Sequence, residues 1–230
     1  MPVGREPNMK SMRQAAATAL VPNELVSSVS HLAGALCAAE GAVILAARGI
    51  ADSVGSARLF SLLVFALSMT ALYTSSGIYH LSKARGRSAA GLRKLDHAMI
   101  YVLIAGSYTP VCLFYLPAGR AAVFVTILWI AAAIGIIVKM FAINAPNWIS
   151  ATIYILMGWA VVFDFSLFWN ADPQGMSLIA AGGCAYTIGG VIYALKRPNF
   201  SSVFGFHELF HMFILVGSFL HYIAVLFFMA

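Results

Sequence analysis

Seven predominantly apolar stretches of about 20 residues fill almost the whole chain, and no other feature limits its fold so tightly. They lie at about 24–47, 57–81, 95–116, 119–139, 148–169, 175–195 and 206–229. At 1.5 Å per residue, about 20 helical residues cross roughly 30 Å of hydrocarbon. These stretches are too long for membrane strands, and they lack the alternation of polar and apolar residues that a barrel strand shows. Inside hydrocarbon every backbone polar group needs a partner within the protein, which leaves helix as the structure open to each stretch. Composition agrees. The chain is 61% hydrophobic and 10% charged, against about half and a quarter in a soluble domain. The expected fold is an all-α, seven-transmembrane helix bundle spanning residues 24–229, behind a basic tail over residues 1–23.

Turn-forming residues separate the stretches. Pro117-Ala118-Gly119 closes the third, Asn144-Ala145-Pro146-Asn147 divides the fourth from the fifth, and Asp172-Pro173-Gln174-Gly175 divides the fifth from the sixth. No linker is long enough for a second domain, and no internal repeat is visible. The tail carries Arg5, Lys10 and Arg13, like the start of a signal peptide. Its apolar run over 15–21 is short, however, and is broken by Pro22, Asn23 and Glu24.

Charge sets the orientation. With the amino terminus in the cytoplasm, cytoplasmic segments hold Arg5, Lys10, Arg13, Lys83, Arg85, Arg87, Arg93, Lys94, Lys139, Lys196 and Arg197, which is 11 of the 14 basic residues. Arg48, Arg58 and Arg120 fall on the other side. This positive-inside bias places the carboxyl terminus outside. The net charge of +6 marks a face turned to anionic headgroups and requires no nucleic-acid partner. Membrane lipids are the expected partners; the oligomeric state is not set by any feature of the sequence. Cys37, Cys112 and Cys184 all fall within spans and read as buried thiols acting as small apolar residues.

Ionisable residues inside spans are costly and mark candidate sites. The second span ends with Ser76 and His80, four residues apart and therefore on one face. The third opens with Asp96 and His97, and the seventh with His207-Glu208-Leu209-Phe210-His211. In the topology set by charge, His80, Asp96, His207 and His211 share one depth near the cytoplasmic surface. Two histidines at i and i+4 with a third from another helix suit a tetrahedral zinc site with one open position. The alternative is three histidines bonded to backbone or headgroups at helix ends. The string also matches H-E-x-x-H, in which soluble metalloproteases use the glutamate as general base. Here Glu208 lies about 100° around the helix from His207 and is expected to stand behind the metal or to face the headgroups.

These residues carry a family resemblance over residues 22–229. It rests on Asn23-Glu24 and Ser30-His31, on Ser76 with His80, on Asp96-His97 followed by Gly106-Ser107-Tyr108-Thr109-Pro110, on His207 to His211, and on His221-Tyr222. The chain resembles the hemolysin III branch of the progestin and adipoQ receptor family and, more distantly, the alkaline ceramidases. The resemblance implies a multi-pass protein of the bacterial inner (cytoplasmic) membrane, with zinc held by His80, His207 and His211. It also implies Ser76 and Asp96 beside the zinc water. Ceramidase-like relatives hydrolyse the amide of ceramide, bacterial members are linked to membrane homeostasis, and the hemolysin name suggests a cytolytic pore.

Three functions follow. The first is a zinc-dependent hydrolase of lipid amide or acyl bonds, with Asp96 as general base, Ser76 holding the water or the oxyanion, and the lipid-like substrate between helices. The second is a non-catalytic lipid sensor with structural zinc; the third is a pore. An open coordination position facing a lipid-sized cavity separates the first from the second. Among the other polar residues, His31 either lines the cavity above the metal or bonds to a neighbouring helix. Glu40 and Asp164 form a polar cluster with His221, form a proton path, or act as protonated carboxyls bonded to another helix. Pro110 is expected to kink the third helix, with Ser107 and Thr109 serving freed carbonyls, and Gly182, Gly183, Gly189 and Gly190 to allow close helix packing.

Overall fold

The computed structural model of the protein describes residues 20–87 and 89–230. The tail with Arg5, Lys10 and Arg13, and Ser88, lie outside the described residues. Seven helical segments are long and apolar enough to cross a membrane, and no strand occurs among the described residues. They are α1 (Pro22–Ala51), α2 (Ser56–Ala84), α3 (Ala90–Tyr115), α4 (Ala118–Phe141), a broken fifth span (Asn147–Ala171), α7 (Pro173–Leu195) and α8 (Phe206–Phe228). The fifth span comprises α5 (Asn147–Gly158), a 3₁₀ turn (Ala160–Asp164) and α6 (Phe165–Ala171).

Local chemistry explains the helix starts. Pro22 and Pro173 occupy first turns, where the missing N–H costs nothing. Asp172 caps α7 by accepting from Gln174 N at 3.1 Å and Gly175 N at 3.2 Å. The turn into α2 uses Gly55 at φ 83°, a backbone conformation that L side chains resist.

The helices α1, α2, α3, α5, α7 and α8 close a ring, because each packs on the next and α8 returns to α1. Outside the ring, α4 packs against α3. It buries Ala121, Leu128 and Ala132 and turns Val123, Ile127, Ile130, Ile134 and Ile137 outward. Such a stripe at helical spacing suits lipid and would be an aggregation hazard in water. Val21 and Ala230 lie at opposite ends of the bundle. Val21 N donates to Ala84 O at 3.1 Å, and Arg48 Nε donates to Ala230 O at 3.2 Å.

The break in the fifth span falls at Trp159, where no proline or turn cluster announces it. A side chain from α3 fills the gap. The Tyr108 hydroxyl donates to Gly158 O at 2.6 Å and accepts from Val161 N at 2.8 Å. Irregular backbone at membrane depth persists only where other groups satisfy it. Tyr108→Phe leaves the Gly158 carbonyl and the Val161 N–H without their side-chain partner. The expected loss is about 1–3 kcal/mol per orphaned group, read as a lowered midpoint in thermal unfolding of the detergent-solubilised protein.

Pro110 sits inside α3. Ser107 and Thr109 donate to the carbonyls of Ile104 and Ala105 at 2.9 Å each. They therefore reinforce the turn before the proline and do not serve the Gly106 carbonyl that Pro110 deprives of its helical partner.

Candidate metal centre

α2 brings Ser76 and His80 to the end of the bundle where the chain enters. α8 begins there with His207 and His211, one turn apart. The ligating atoms of His80, His207 and His211 all lie within 4.8 Å of one another, and this is the group among the described residues that could hold a metal ion. His80 Nε2 and His207 Nε2 are 3.3 Å apart. His80 and His211 are almost fully buried.

The first turn of α1 orients this cluster. Glu24 Oε2 lies 2.7 Å from His80 Nδ1, and Glu24 Oε1 pairs with Lys83. A carboxylate can only accept, so Nδ1 carries the proton, and in the neutral ring this leaves the Nε2 lone pair for the cluster. Carboxylate–imidazole arrangements of this kind fix ring and tautomer where a histidine ligates a metal. No spacing rule pointed to Glu24, because the partner comes from a helix 56 positions away; the signals were its place as an acidic residue at the start of a span and the Asn23-Glu24 pair that belongs to the family resemblance.

Glu208 has a different task. Its Oε2 accepts from Gly205 N at 2.8 Å, closing the start of α8, and its Oε1 accepts from the Ser27 hydroxyl at 3.2 Å. Both oxygens are engaged away from the histidine nitrogens, and the side chain is buried rather than turned to headgroups.

Ser76 and Asp96 line the same cavity as the three histidines. Ser76 Oγ is buried and has no hydrogen-bond partner. Asp96 does not join the histidine cluster, which leaves three protein donors. His31 also belongs here. Its ring stacks on His211 with centroids 3.7 Å apart at 9°, and neither of its nitrogens has a partner. Of its two expected placements, it takes the one on the cavity wall.

The cavity measures about 600 Å³. Its lining runs from Asn23 and the exposed Asn199 and Ser201, past the histidines, to Ile104, Val111 and Met176. The stretch of α3 from Arg93 to Val111 that borders it corresponds to roughly 27 Å of helix. A polar mouth, a cluster of imidazoles and a long apolar floor match an amphiphile with an extended chain.

The outer polar residues do not gather. Asp164 pairs with Arg120 at 2.7 Å, Glu40 is exposed, and His221 Nε2 donates to Ile179 O at 3.0 Å. A polar cluster of Glu40, Asp164 and His221 is therefore not formed, because Asp164 finds its partner at the start of α4. A Cβ on Gly182 would collide with the His221 ring, and one on Gly189 would lie 2.9 Å from Phe213 Cβ, so these glycines let α7 and α8 touch. The cysteines are free thiols; Cys112 is buried, whereas Cys37 and Cys184 are exposed on the bundle's outer surface.

Fold and site together define a multi-pass helical membrane protein with a candidate three-histidine centre inside its bundle. The chain belongs to the haemolysin-III related family, whose model matches residues 20–222. It is 31% identical over 212 residues to "Hemolysin-3" of Bacillus cereus, covering 92% of this chain and 94% of that one. It is 32% identical over 210 residues to "Hemolysin-3 homolog" of Bacillus subtilis (strain 168), covering 90% and 95%. A more distant similarity, 28% over 176 residues, links it to "Heptahelical transmembrane protein ADIPOR2" of Oryza sativa subsp. japonica, with 69% of this chain and 76% of that one covered.

Proposed function

We propose that this protein is a zinc-dependent hydrolase of lipid amide or acyl bonds, seated in the bacterial inner membrane with its metal centre near the cytoplasmic face. The observation that carries the reading is a set of three imidazoles bordering a chain-length apolar cavity. Three protein donors leave a fourth position open, as catalytic zinc sites do; structural sites use four. One donor pair has the spacing that zinc calls for. Tetrahedral zinc with nitrogen at about 2.0–2.1 Å has nitrogen–nitrogen edges of roughly 3.3–3.4 Å, and His80 Nε2 to His207 Nε2 is 3.3 Å.

Zinc bound there supplies a Lewis acid that activates water near neutral pH and polarises an acyl carbonyl. The chain's residues do the rest. Asp96 takes the proton of the attacking water on its carboxylate and returns it to the leaving nitrogen or oxygen. Ser76 Oγ, free of any partner, donates to the oxygen that gains negative charge. Glu24 and Lys83 hold His80 in register. The apolar cavity seats the acyl chain and excludes bulk water. The glutamate of the H-E-x-x-H string has no part in this scheme, since Gly205 and Ser27 occupy its oxygens.

A pore would call for a continuous polar lining. Apart from His221, whose ring is bonded to Ile179 O, the charged groups and histidines at the cavity gather instead around one end, and the floor beyond is mostly apolar. Lipid mass spectrometry of cells with and without the protein tests the hydrolase reading. A lipid amide or ester should fall, and its free fatty acid rise, when the active protein is present. An unchanged lipid profile contradicts it.

Two further outcomes are expected. Glu24→Gln should weaken zinc binding by about 10–100-fold, the usual effect of removing a carboxylate behind a metal-bound imidazole, measured by chelator competition. For orientation, a single cysteine at position 230, with the native cysteines replaced, should be labelled by a membrane-impermeant reagent from the outside. Labelling only from the cytoplasmic side contradicts the topology.

A further inference from the structure

Arg93 stands at the mouth of the cavity, on the first turn of α3 and three residues before Asp96. Its guanidinium makes two hydrogen bonds, both to neutral acceptors of the segment between α4 and α5. Nη1 donates to Asn144 Oδ1 at 3.2 Å and Nη2 to Ile143 O at 3.4 Å. Among the described residues no carboxylate lies within 4 Å of it, because the ion pairs are those of Arg48, His80, Lys83 and Arg120. The other cation on the rim, Lys83, is neutralised by Glu24. Arg93 thus keeps three of its five N–H donors and its whole charge. Asn147, Asn199 and Ser201 stand on the same rim as neutral polar groups. A basic residue at this end needs no explanation in itself; one held by backbone and amide oxygens on the wall of a lipid-sized cavity is a prepared anion site.

Depth adds the chemistry. Three residues along a helix is roughly 4.5 Å, so Arg93 lies about one turn outward from Asp96. Both residues border the same cavity, so an anion bound by Arg93 belongs to a molecule whose neighbouring atoms pass Asp96. We propose that the preferred substrate is an N-acyl lipid carrying an oxyanion within a few atoms of its amide nitrogen, the chemistry of an N-acyl amino acid or a phosphorylated ceramide. Arg93 grips the oxyanion while the acyl chain lies along the apolar floor. The inference rests on the hydrolase reading for its substrate's orientation, but binding alone can test it.

The test compares N-palmitoylglycine with its uncharged primary amide, using the full chain in nanodiscs of neutral lipid. The wild type should bind the acid roughly 10–100-fold more tightly than the amide, the difference expected of a charge-assisted pair. Arg93→Gln should erase that preference and leave affinity for the amide unchanged; Arg93→Lys should restore part of it. Free glycine and inorganic phosphate as competitors distinguish a lipid-borne anion from a free one, and neither should displace the lipid at concentrations near its Kd. Equal binding of acid and amide, a preference that survives in Arg93→Gln, or displacement by free phosphate overturns the proposal. If the preference holds but neither compound is cleaved, the anion site stands and the hydrolase reading falls.

Discussion

Asp96→Asn is expected to keep zinc at the wild-type level and to slow lipid hydrolysis by about 10²–10⁴-fold, the usual contribution of a general base. Asparagine matches aspartate in size and keeps an acceptor oxygen, so the cavity wall retains its shape while the proton acceptor is lost. Asp96 lies outside the histidine cluster, which is why zinc content should not change. Glu208→Gln is the control. The amide oxygen can still accept from Gly205 N, so the start of α8 keeps its closure, and activity should stay within about tenfold of wild type, well short of the loss of a general base. Zinc analysis and turnover of a lipid amide, measured on the same preparations, check both outcomes. A large loss in Glu208→Gln with little change in Asp96→Asn would give the glutamate the role it has in soluble H-E-x-x-H enzymes.

The second large effect is on the metal itself. His80→Ala should reduce zinc to a small fraction of one ion per chain after dialysis against a mild chelator. With three protein donors, one lost imidazole leaves two, and metal affinity depends steeply on the full ligand set. The same change strands Glu24 beside Lys83 without its imidazole partner, so some loss of stability should accompany it. Retention of stoichiometric zinc in His80→Ala would mean that another group ligates, and Asp96 on the same cavity wall is the first candidate.

The legible parts of this protein were those governed by local periodicity. The spans follow from apolar runs of membrane length, and the approach of His207 to His211 from their four-residue spacing on one helix. His80 joined them through the common depth assigned by charge. What the sequence could not convey depends on contacts between distant segments. Glu24 reads as an acidic residue in a first turn until α2 places His80 Nδ1 2.7 Å from it. Trp159 sits in an apolar run without a breaker after it; the kink there depends on a tyrosine 51 positions earlier. Asp164 was expected to cluster with His221 or to bond to another helix as a protonated carboxyl, and nothing tied it to Arg120, at the start of the fourth stretch 44 positions earlier. His31 had the composition of a site residue but no spacing to tie it to α8, and its stacking on His211 is a product of how α1 leans on that helix.

The central claim is that His80, His207 and His211 hold one zinc ion with a position left open toward the lipid cavity. Zinc-edge X-ray absorption on the purified, metal-quantified protein tests it most directly. The account predicts about one zinc per chain with three nitrogen neighbours and one oxygen at roughly 2.0–2.1 Å, and loss of the signal in His80→Ala. A protein that purifies without zinc and takes up none, or one whose zinc is enclosed by four protein ligands, would contradict it.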